Sequence, residues 1–261
     1  MADEQYNMEE SRERVGKFYS LFPEIEKKAD SLILENIQGR RVLEIGATEL
    51  SYSFRIAQKG GFVTGINVSE SIVKRLNEVS KARMFRYAEF QCKEYHKSCF
   101  HPGTFDLVCG LGVLQLSDKE QVLAEVSRVL KPEGKAVFIE PLGHNRFINA
   151  FRRRTGKLRP GNQKPMLLSD IVATEKYFEQ IKVKYFHFFT IAATIFCGTV
   201  LYSPVYKIMR LIDKAAFGIF PGFRKFAWYA MIEMEAPKVN PTHKLQKKAP
   251  GKILQETIFN N

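Results

Sequence analysis

The chain has 261 residues, of which 45% are hydrophobic and 26% charged, so it can bury a sizeable core and form one large domain with an elaboration. This composition excludes a globally disordered chain, and the acidic, polar start MADEQYNMEESRER lacks the apolar segment of a secretory signal. The four cysteines have neither CxxC nor Cys/His spacing, so we expect reduced thiols, a cytoplasmic location and no metal site.

The net charge of +12 is concentrated in two segments. Residues 1–144 contain 20 Lys and Arg against 21 Asp and Glu, whereas residues 145–165 contain seven basic residues and no acid. Residues 236–261 contain five basic residues and one acid. A nucleic-acid-binding domain usually spreads basic residues over a face, so we expect a local anionic partner instead, either a membrane surface or an acidic substrate group. The alternative is a solvated loop and tail that aid solubility.

Helices and strands alternate regularly over the first half of the chain. Residues 8–37 have near-helical apolar spacing, interrupted at Pro23. Strands are predicted at 41–45, 62–66, 105–109 and 135–140, and helices at 53–58, after the cap Ser69, and at 119–130. Strands that alternate with helices in this way indicate βαβ units and a parallel sheet.

The pattern becomes less regular after residue 144. A basic loop is expected at 145–165, a helix at 169–177, strands at 181–186 and 228–235, and a flexible basic tail at 236–261. Residues 188–206 are nineteen uncharged positions, close to the length of a membrane span. Gly198, Ser203 and Pro204, together with the flanking strands, favour two other interpretations. The apolar insert 188–223 is then either a buried lid or an element that lies at a membrane interface.

Five segments resemble the class I, S-adenosylmethionine-dependent methyltransferases in both order and spacing. They are VLEIG at 42–46, FVTGIN at 62–67, Glu94, GVLQ at 112–115 and VLKPEG at 129–134. The resemblance covers about residues 40–143 and implies a doubly wound, mostly parallel seven-stranded α/β sheet, the Rossmann-like fold of that family, with a helical apolar insert near the C-terminus. The implied organisation is a helical cap (1–39), a cofactor-binding core (40–144), an acceptor-side elaboration (145–235) and the tail (236–261).

The resemblance implies S-adenosylmethionine as the cofactor, bound at Glu44, Gly46, Asn67, Glu94 and Gly112. Gly46 stands at the carboxyl end of the first strand, where a missing side chain lets backbone N–H groups approach the ligand's carboxylate. Glu94 stands where the family has an acid for the adenine amine.

Three residues depart from the family's pattern. Thr48 and Leu50 occupy positions that are commonly glycine, and Asn67 replaces an acid that accepts both ribose hydroxyls. An amide offers one acceptor and adds a donor with no evident partner. We therefore expect Asn67→Asp to raise cofactor affinity by about tenfold, unless Glu70 already compensates.

The acceptor side offers one candidate base. Methyl transfer needs mainly orientation of the acceptor, with a base where the nucleophile carries a proton. His144 follows the strand 135–140 in the phrase EPLGHN, which also resembles a subgroup of small-molecule methyltransferases, and its ordinary pKa is near neutral. The alternative is a loop histidine that caps a backbone carbonyl.

These features predict methyl transfer to a small or lipid-like hydrophobic acceptor. The absence of an NPPY-type motif after the fourth strand counts against methylation of amino groups on nucleobases or glutamine. One alternative is a catalytically inactive scaffold with the methyltransferase fold, favoured by Thr48, Leu50 and Asn67. An RNA methyltransferase is favoured by the basic insert but not by the neutral core, and a dehydrogenase would need a GxGxxG motif.

Overall fold

A computed structural model describes residues 20–154 and 163–238, so the start of the predicted N-terminal helix, part of the basic loop and most of the predicted tail lie outside it. Seven strands of the described part form one sheet. They are β1 (Arg41–Ile45), β2 (Phe62–Asn67), β3 (Ala88–Cys92), β4 (Phe105–Leu111), β5 (Leu130–Pro141), β6 (Phe178–Phe186) and β7 (Tyr229–Pro237). Their order is β3-β2-β1-β4-β5-β7-β6.

The sheet has a parallel part and an antiparallel edge. β3, β2, β1, β4 and β5 run parallel, and β7 pairs antiparallel with both β5 and β6. The central strand β1 pairs with β2 through Val42 and Val63, and with β4 through Val42 and Leu107. The predicted doubly wound, mostly parallel seven-stranded sheet is confirmed.

Helices cover the sheet and continue into the C-terminal insert. The helices are α1 (Phe22–Ile33), α2 (Ser53–Gln58), α3 (Glu70–Ala82), α4 (Lys119–Val129), α5 (Arg146–Arg154), α6 (Leu168–Ala173) and α7 (Tyr202–Ile219). Short 3₁₀ helices lie at Leu114–Leu116, Thr174–Lys176, Phe189–Phe196 and Pro221–Phe226. The predicted cap of α3 is present, since Ser69 accepts a bond from the N–H of Ile72.

The core lies on both faces of the central strands. Successive side chains of a strand point to opposite faces, so Phe138 of β5 packs with Val126 of α4, whereas Ile139 belongs to a cluster with Ile25 of α1. Strands that are covered on both faces are apolar at successive positions, as β4 and β5 are here. The helix–strand alternation in the sequence follows from this layered packing.

Two strands differ from the sequence-based prediction. β3 was not predicted, and β5 begins at Leu130, so the predicted turn 131–134 lies within the strand. A shift of register between Phe105 and Leu107 accommodates the start of β5. β3 is an edge strand with one buried residue, Phe90, and it therefore lacks a clear apolar pattern.

The predicted basic loop 145–165 is partly helical, because α5 occupies its first half. The Oδ1 of Asn145 caps this helix by accepting the N–H groups of Phe147 at 3.0 Å and Ile148 at 3.1 Å. Ile148 packs against Leu21 and Trp228. Ile148 thus gives this helix an apolar contact with the rest of the fold.

The apolar insert is helical, as predicted, but α7 leaves much of its apolar surface exposed. The buried carboxylate of Asp213 accepts the N–H groups of Phe188 at 3.0 Å, Phe189 at 2.6 Å and Thr190 at 3.2 Å. These three hydrogen bonds join α7 to the preceding 3₁₀ helix. Leu211 is 67% exposed, so α7 is not a buried lid. Across residues 20–154 and 163–238 no helix combines the length and hydropathy that crossing a membrane requires.

Candidate functional site

The carboxyl ends of four parallel strands meet at one edge of the sheet. β3 ends at Cys92, β2 at Asn67, β1 at Ile45 and β4 at Leu111. Ligands of open α/β sheets bind at this edge, where the strand order reverses, and here that point lies between β1 and β4. The structure brings all the predicted cofactor residues to this edge: Glu44, Gly46, Asn67, Glu94 and Gly112.

Glu44 lies beneath the loop that joins β1 to α2. Its Oε1 accepts a hydrogen bond from the backbone N–H of Tyr52 at 2.8 Å, and its Oε2 accepts one from the hydroxyl of Ser53. Burial raises the pKa of Glu44, and these hydrogen bonds offset only part of the rise. Both oxygens are engaged in the fold, so Glu44 positions the loop.

Gly46 is required by packing and by backbone conformation. Its φ is +75°, and a Cβ there would lie 2.7 Å from Cγ2 of Val113. Non-bonded carbon atoms do not normally approach this closely. The N–H groups of Gly46 and Ala47 donate to the carbonyl oxygen of Ile66 at 2.8 and 3.0 Å. β2 thus already accepts these two N–H groups, and the expectation that backbone N–H groups of this loop approach a ligand carboxylate stays a prediction for the rest of the loop.

Asn67 ties the loop after β1 to the start of α3. Its Nδ2 donates to the carbonyl oxygen of Ala47 at 2.9 Å, and its Oδ1 accepts the N–H of Ser69 at 2.9 Å. The expectation of a donor without a partner is therefore wrong. The loop turns the carbonyl of Ala47 toward the end of β2, which a linear pattern does not reveal.

Glu94 differs from the other predicted cofactor residues in its accessibility. Its side chain is 67% exposed, and its carboxylate lies 3.4 Å from Nε2 of His96. Gly112 adopts φ +65°, and its N–H donates to the carbonyl oxygen of Ile139 at 2.8 Å. Gly112 thus forms a turn, whereas the carboxylate of Glu94 is accessible at this edge.

Tyr95 was not predicted and lies inside the candidate site. Its ring is buried in the same core cluster as Ile45 and Ile66. The phenol oxygen is 3.7 Å from the position that a Cβ would take on Gly46. Burial raises the pKa of Tyr95, and the backbone N–H of Val68 offsets part of the rise. The ring occupies space between the loops that follow β1 and β2. Its sequence signal was a large aromatic residue directly after Glu94.

Glu140, near the end of β5, is a second residue that was not predicted. Its Oε1 accepts the N–H groups of Val113 at 2.8 Å and Leu114 at 2.9 Å, and its Oε2 accepts that of Gln115 at 3.3 Å. Burial raises the pKa of Glu140 to about 8, while the three bonds lower it. Glu140 fixes the segment after β4 to β5. Its signal was a glutamate within the apolar run VFIEPL.

His144 lies after β5 and contacts α6. Its Nε2 accepts the backbone N–H of Leu168, the first residue of α6, at 3.3 Å. In this contact Nε2 of His144 is the acceptor, and the backbone of α6 is the donor. The alternative prediction was a histidine that caps a backbone carbonyl. The structure instead has the imidazole accepting a hydrogen bond from a backbone N–H.

Comparison with known families and proteins adds an independent finding. The family model described as "Methyltransferase domain" matches residues 43–138. The chain is 30% identical over 112 residues to the ubiquinone biosynthesis O-methyltransferase of Pseudomonas aeruginosa, which covers 42% of this chain and 47% of that protein. The chain thus spans about half the length of the curated relatives it matches.

Solved structures share the fold over a larger part of the chain. The phosphoethanolamine N-methyltransferase 2 of Haemonchus contortus superposes with a TM-score of 0.58 at 16% identity, covering 81% of this chain and 53% of that one. The PH0226 protein of Pyrococcus horikoshii superposes with a TM-score of 0.55 at 17% identity, covering 90% and 94%. At these identities the likeness concerns the fold.

Proposed function

Because the chain carries a class I, S-adenosylmethionine-dependent methyltransferase domain, we propose that it transfers a methyl group from S-adenosylmethionine to a small hydrophobic acceptor. One observation carries the proposal. The family match at 43–138 contains the edge where β1, β2, β3 and β4 end, and Glu94 presents an accessible carboxylate there. An open α/β sheet binds small molecules at that edge.

The residues at the edge fit the cofactor on one condition. When bound, S-adenosylmethionine supplies an electrophilic methyl group on a sulfonium sulfur. Glu94 would accept a hydrogen bond from the adenosine moiety, while Glu44 and Asn67 hold the loop after β1 in place. The condition is that the ring of Tyr95, whose phenol oxygen lies beside Gly46, moves when the ligand binds. The protein then orients the acceptor and excludes water.

Oxygen is the acceptor atom to test first, since the P. aeruginosa relative is named as an O-methyltransferase. A hydroxyl acceptor must lose a proton, and His144 is the base that we propose. Its Nε2, the acceptor in the 3.3 Å bond from the N–H of Leu168, would take that proton once this bond opens.

Calorimetric titration with S-adenosylmethionine and S-adenosylhomocysteine tests the proposal. We expect micromolar binding and a ligand-dependent rise in the melting temperature. Glu94→Gln should weaken binding, whereas Glu78→Gln, which removes the same charge from an exposed position of α3, should not. Native protein that binds neither ligand at millimolar concentration would contradict methyl transfer.

A second candidate function is a non-catalytic binding module with the same fold. The position of Tyr95 favours it, because this buried ring would have to move if a cofactor were to lie against Gly46. Cofactor binding by Tyr95→Ala, together with none by the native chain, would support this second function. An RNA acceptor is less favoured, since residues 1–144 are close to neutral.

As a partner, we propose an anionic membrane surface that α7 contacts. As a location, we propose the cytoplasm, with the protein peripheral to that membrane. Ile208, Leu211 and Ile219 are 55%, 67% and 69% exposed, and their spacing places them on one face of the helix. Lys207 and Lys214 are exposed beside them. An exposed apolar face with adjacent lysines is typical of helices that lie at a bilayer surface.

Vesicle sedimentation tests this partner. We expect binding to phosphatidylserine-containing vesicles that weakens with salt, by about 1 kcal/mol for each lysine engaged, and less binding to phosphatidylcholine vesicles. Ile208→Ser combined with Leu211→Ser should reduce it, whereas Met84→Ser combined with Val172→Ser, two exposed apolar positions elsewhere, should not. Equal binding by both double variants would argue against α7 as the contact.

A further inference from the structure

An open cleft of about 580 Å³ lies beside the carboxyl end of β5. Its walls come from Gly143 after β5, from the start of α4, from α5 and from the segment that leads into α6. The charged and amide side chains that line it include Lys119, Asn149, Arg152, Arg153, Lys164 and Asp170.

The cleft adjoins the edge where the methyl donor is proposed to bind. The N–H of Lys164 donates to the carbonyl oxygen of Gln115 at 2.8 Å, and the N–H of Gly143 donates to that of Met166 at 2.9 Å. These bonds attach the wall of the cleft to the segments that follow β4 and β5. A group held in the cleft therefore lies on the acceptor side of that edge.

The described lining of the cleft has an excess of positive charge. Asp170 is the one carboxylate among those residues, and it pairs with Lys119 at 2.5 Å. The charges of Arg153 and Lys164, which are both exposed, are not balanced by another acid among these described lining residues. A concave site with one sign of charge concentrates ligands of the opposite sign.

Arg152 is held in a fixed orientation. Its Nη1 donates to the carbonyl oxygen of Leu142 at 2.7 Å and to Oδ1 of Asn149 at 3.0 Å. Asn149 is itself anchored, since its Nδ2 donates to the carbonyl oxygen of Gly143 at 2.6 Å. A guanidinium that is already ordered loses little conformational entropy when a ligand binds.

We propose that this cleft binds an oxyanion, a phosphate or carboxylate group, carried by the methyl acceptor. The inference rests on the proposed methyl transfer and names the chemical class of its acceptor. Planar guanidinium groups match the geometry of phosphate and carboxylate oxygens, and lysine adds a further positive charge. The volume exceeds that of a single oxyanion, so part of the acceptor's apolar body fits beside it.

Titration with inorganic pyrophosphate and with citrate, followed by calorimetry, tests the cleft directly. Arg153→Gln combined with Lys164→Gln should weaken pyrophosphate binding by about tenfold or more, because two charge-assisted contacts are lost. The matched control is Lys74→Gln combined with Lys81→Gln, which removes two exposed lysines from α3 and should leave the affinity unchanged. Binding of S-adenosylhomocysteine should persist in both double variants.

The outcomes separate the cleft from the methyl transfer on which it rests. Equal pyrophosphate affinity in the cleft variant and in the native protein would overturn the proposal. The proposal would also be overturned if the cleft variant lost binding to anionic vesicles but kept its affinity for pyrophosphate. The basic residues of the cleft would then bind a membrane. Native protein that binds pyrophosphate through Arg153 and Lys164 but not S-adenosylhomocysteine would support the oxyanion site and contradict methyl transfer.

Discussion

Replacing Asn67 with aspartate should destabilise the fold without raising affinity for S-adenosylhomocysteine. Asn67 is 6% exposed, and its Nδ2 donates to the carbonyl oxygen of Ala47 at 2.9 Å. An aspartate loses that donor and sets a carboxylate against the buried carbonyl. The bond from the N–H of Ser69 survives, because either side chain accepts it.

The expected cost follows from the single bond that is lost. A net hydrogen bond contributes about 1 kcal/mol, and leaving a buried acceptor unsatisfied costs about 1–3 kcal/mol. We expect the free energy of unfolding to fall by about 2 kcal/mol near neutral pH. For a chain of this size, that loss lowers the melting temperature by about 4–8 °C.

The pH dependence has a definite sign. A protonated aspartic acid can donate to Ala47, so the folded state favours the protonated form and raises the pKa of the new carboxyl. The folded protein then binds more protons than the unfolded one, and the penalty grows as pH rises. Thermal melts and urea unfolding at about pH 5 and about pH 7.5 measure this difference.

Asn36→Asp is the control, because it adds the same charge at an exposed position. It should change stability by less than about 0.5 kcal/mol. An Asn67→Asp variant with the same melting temperature as the native protein near neutral pH would show that the bond to Ala47 does not hold the loop as described. So would a variant that binds S-adenosylhomocysteine about tenfold more tightly than the native protein.

Three further substitutions test the same edge. Gly46→Val should cost about 1–3 kcal/mol of unfolding free energy more than Gly39→Val, because both glycines have positive φ but only Gly46 has a neighbour within 3 Å of its added Cβ; equal costs in urea unfolding would contradict the packing role. Burial raises the pKa of Glu140 to about 8, so the folded state binds the extra proton and native stability should fall as pH rises from about 5 to about 8; Glu140→Gln should flatten that slope, and an unchanged slope would show that Glu140 does not titrate there. Tyr95→Ala should show a larger rise in melting temperature with S-adenosylhomocysteine than the native protein does, and a smaller rise would mean that the ring supports the ligand.

The sheet could be predicted because its order follows from local patterns. Short apolar runs such as 105–109, separated by turn residues and amphipathic helices, are the direct result of strands covered on both faces. β3 escaped prediction because an edge strand with one buried side chain does not have to be apolar. α5 escaped because its apolar contact comes from Ile148 within a basic stretch, and a linear pattern does not show its hydrogen bonds to Leu142 and Gly143.

The candidate site was predictable in its location but not in its contacts. Gly46, Asn67 and Glu94 lie at or just after the carboxyl ends of strands that are adjacent in the sheet, so their placement at one edge follows from topology. Hydrogen bonds across the edge depend on how loops turn back, and no spacing rule shows that Asn67 reaches Ala47. Tyr95 was missed for the same reason, since its ring meets Gly46 from another strand's loop.

The closeness of Val113 to Gly46 affects how a glycine shared by related sequences at this position should be interpreted. Selection on folding alone retains glycine at this position, since any side chain would collide with Val113 whether or not a ligand binds. A descendant that had lost methyl transfer would therefore keep Gly46. Glu94 is more informative, because its exposed carboxylate has only a long contact with His96 among the described residues. If Glu94 binds the adenosine moiety as proposed, divergence at Glu94 with Gly46 unchanged is the pattern expected of relatives that have lost methyl transfer.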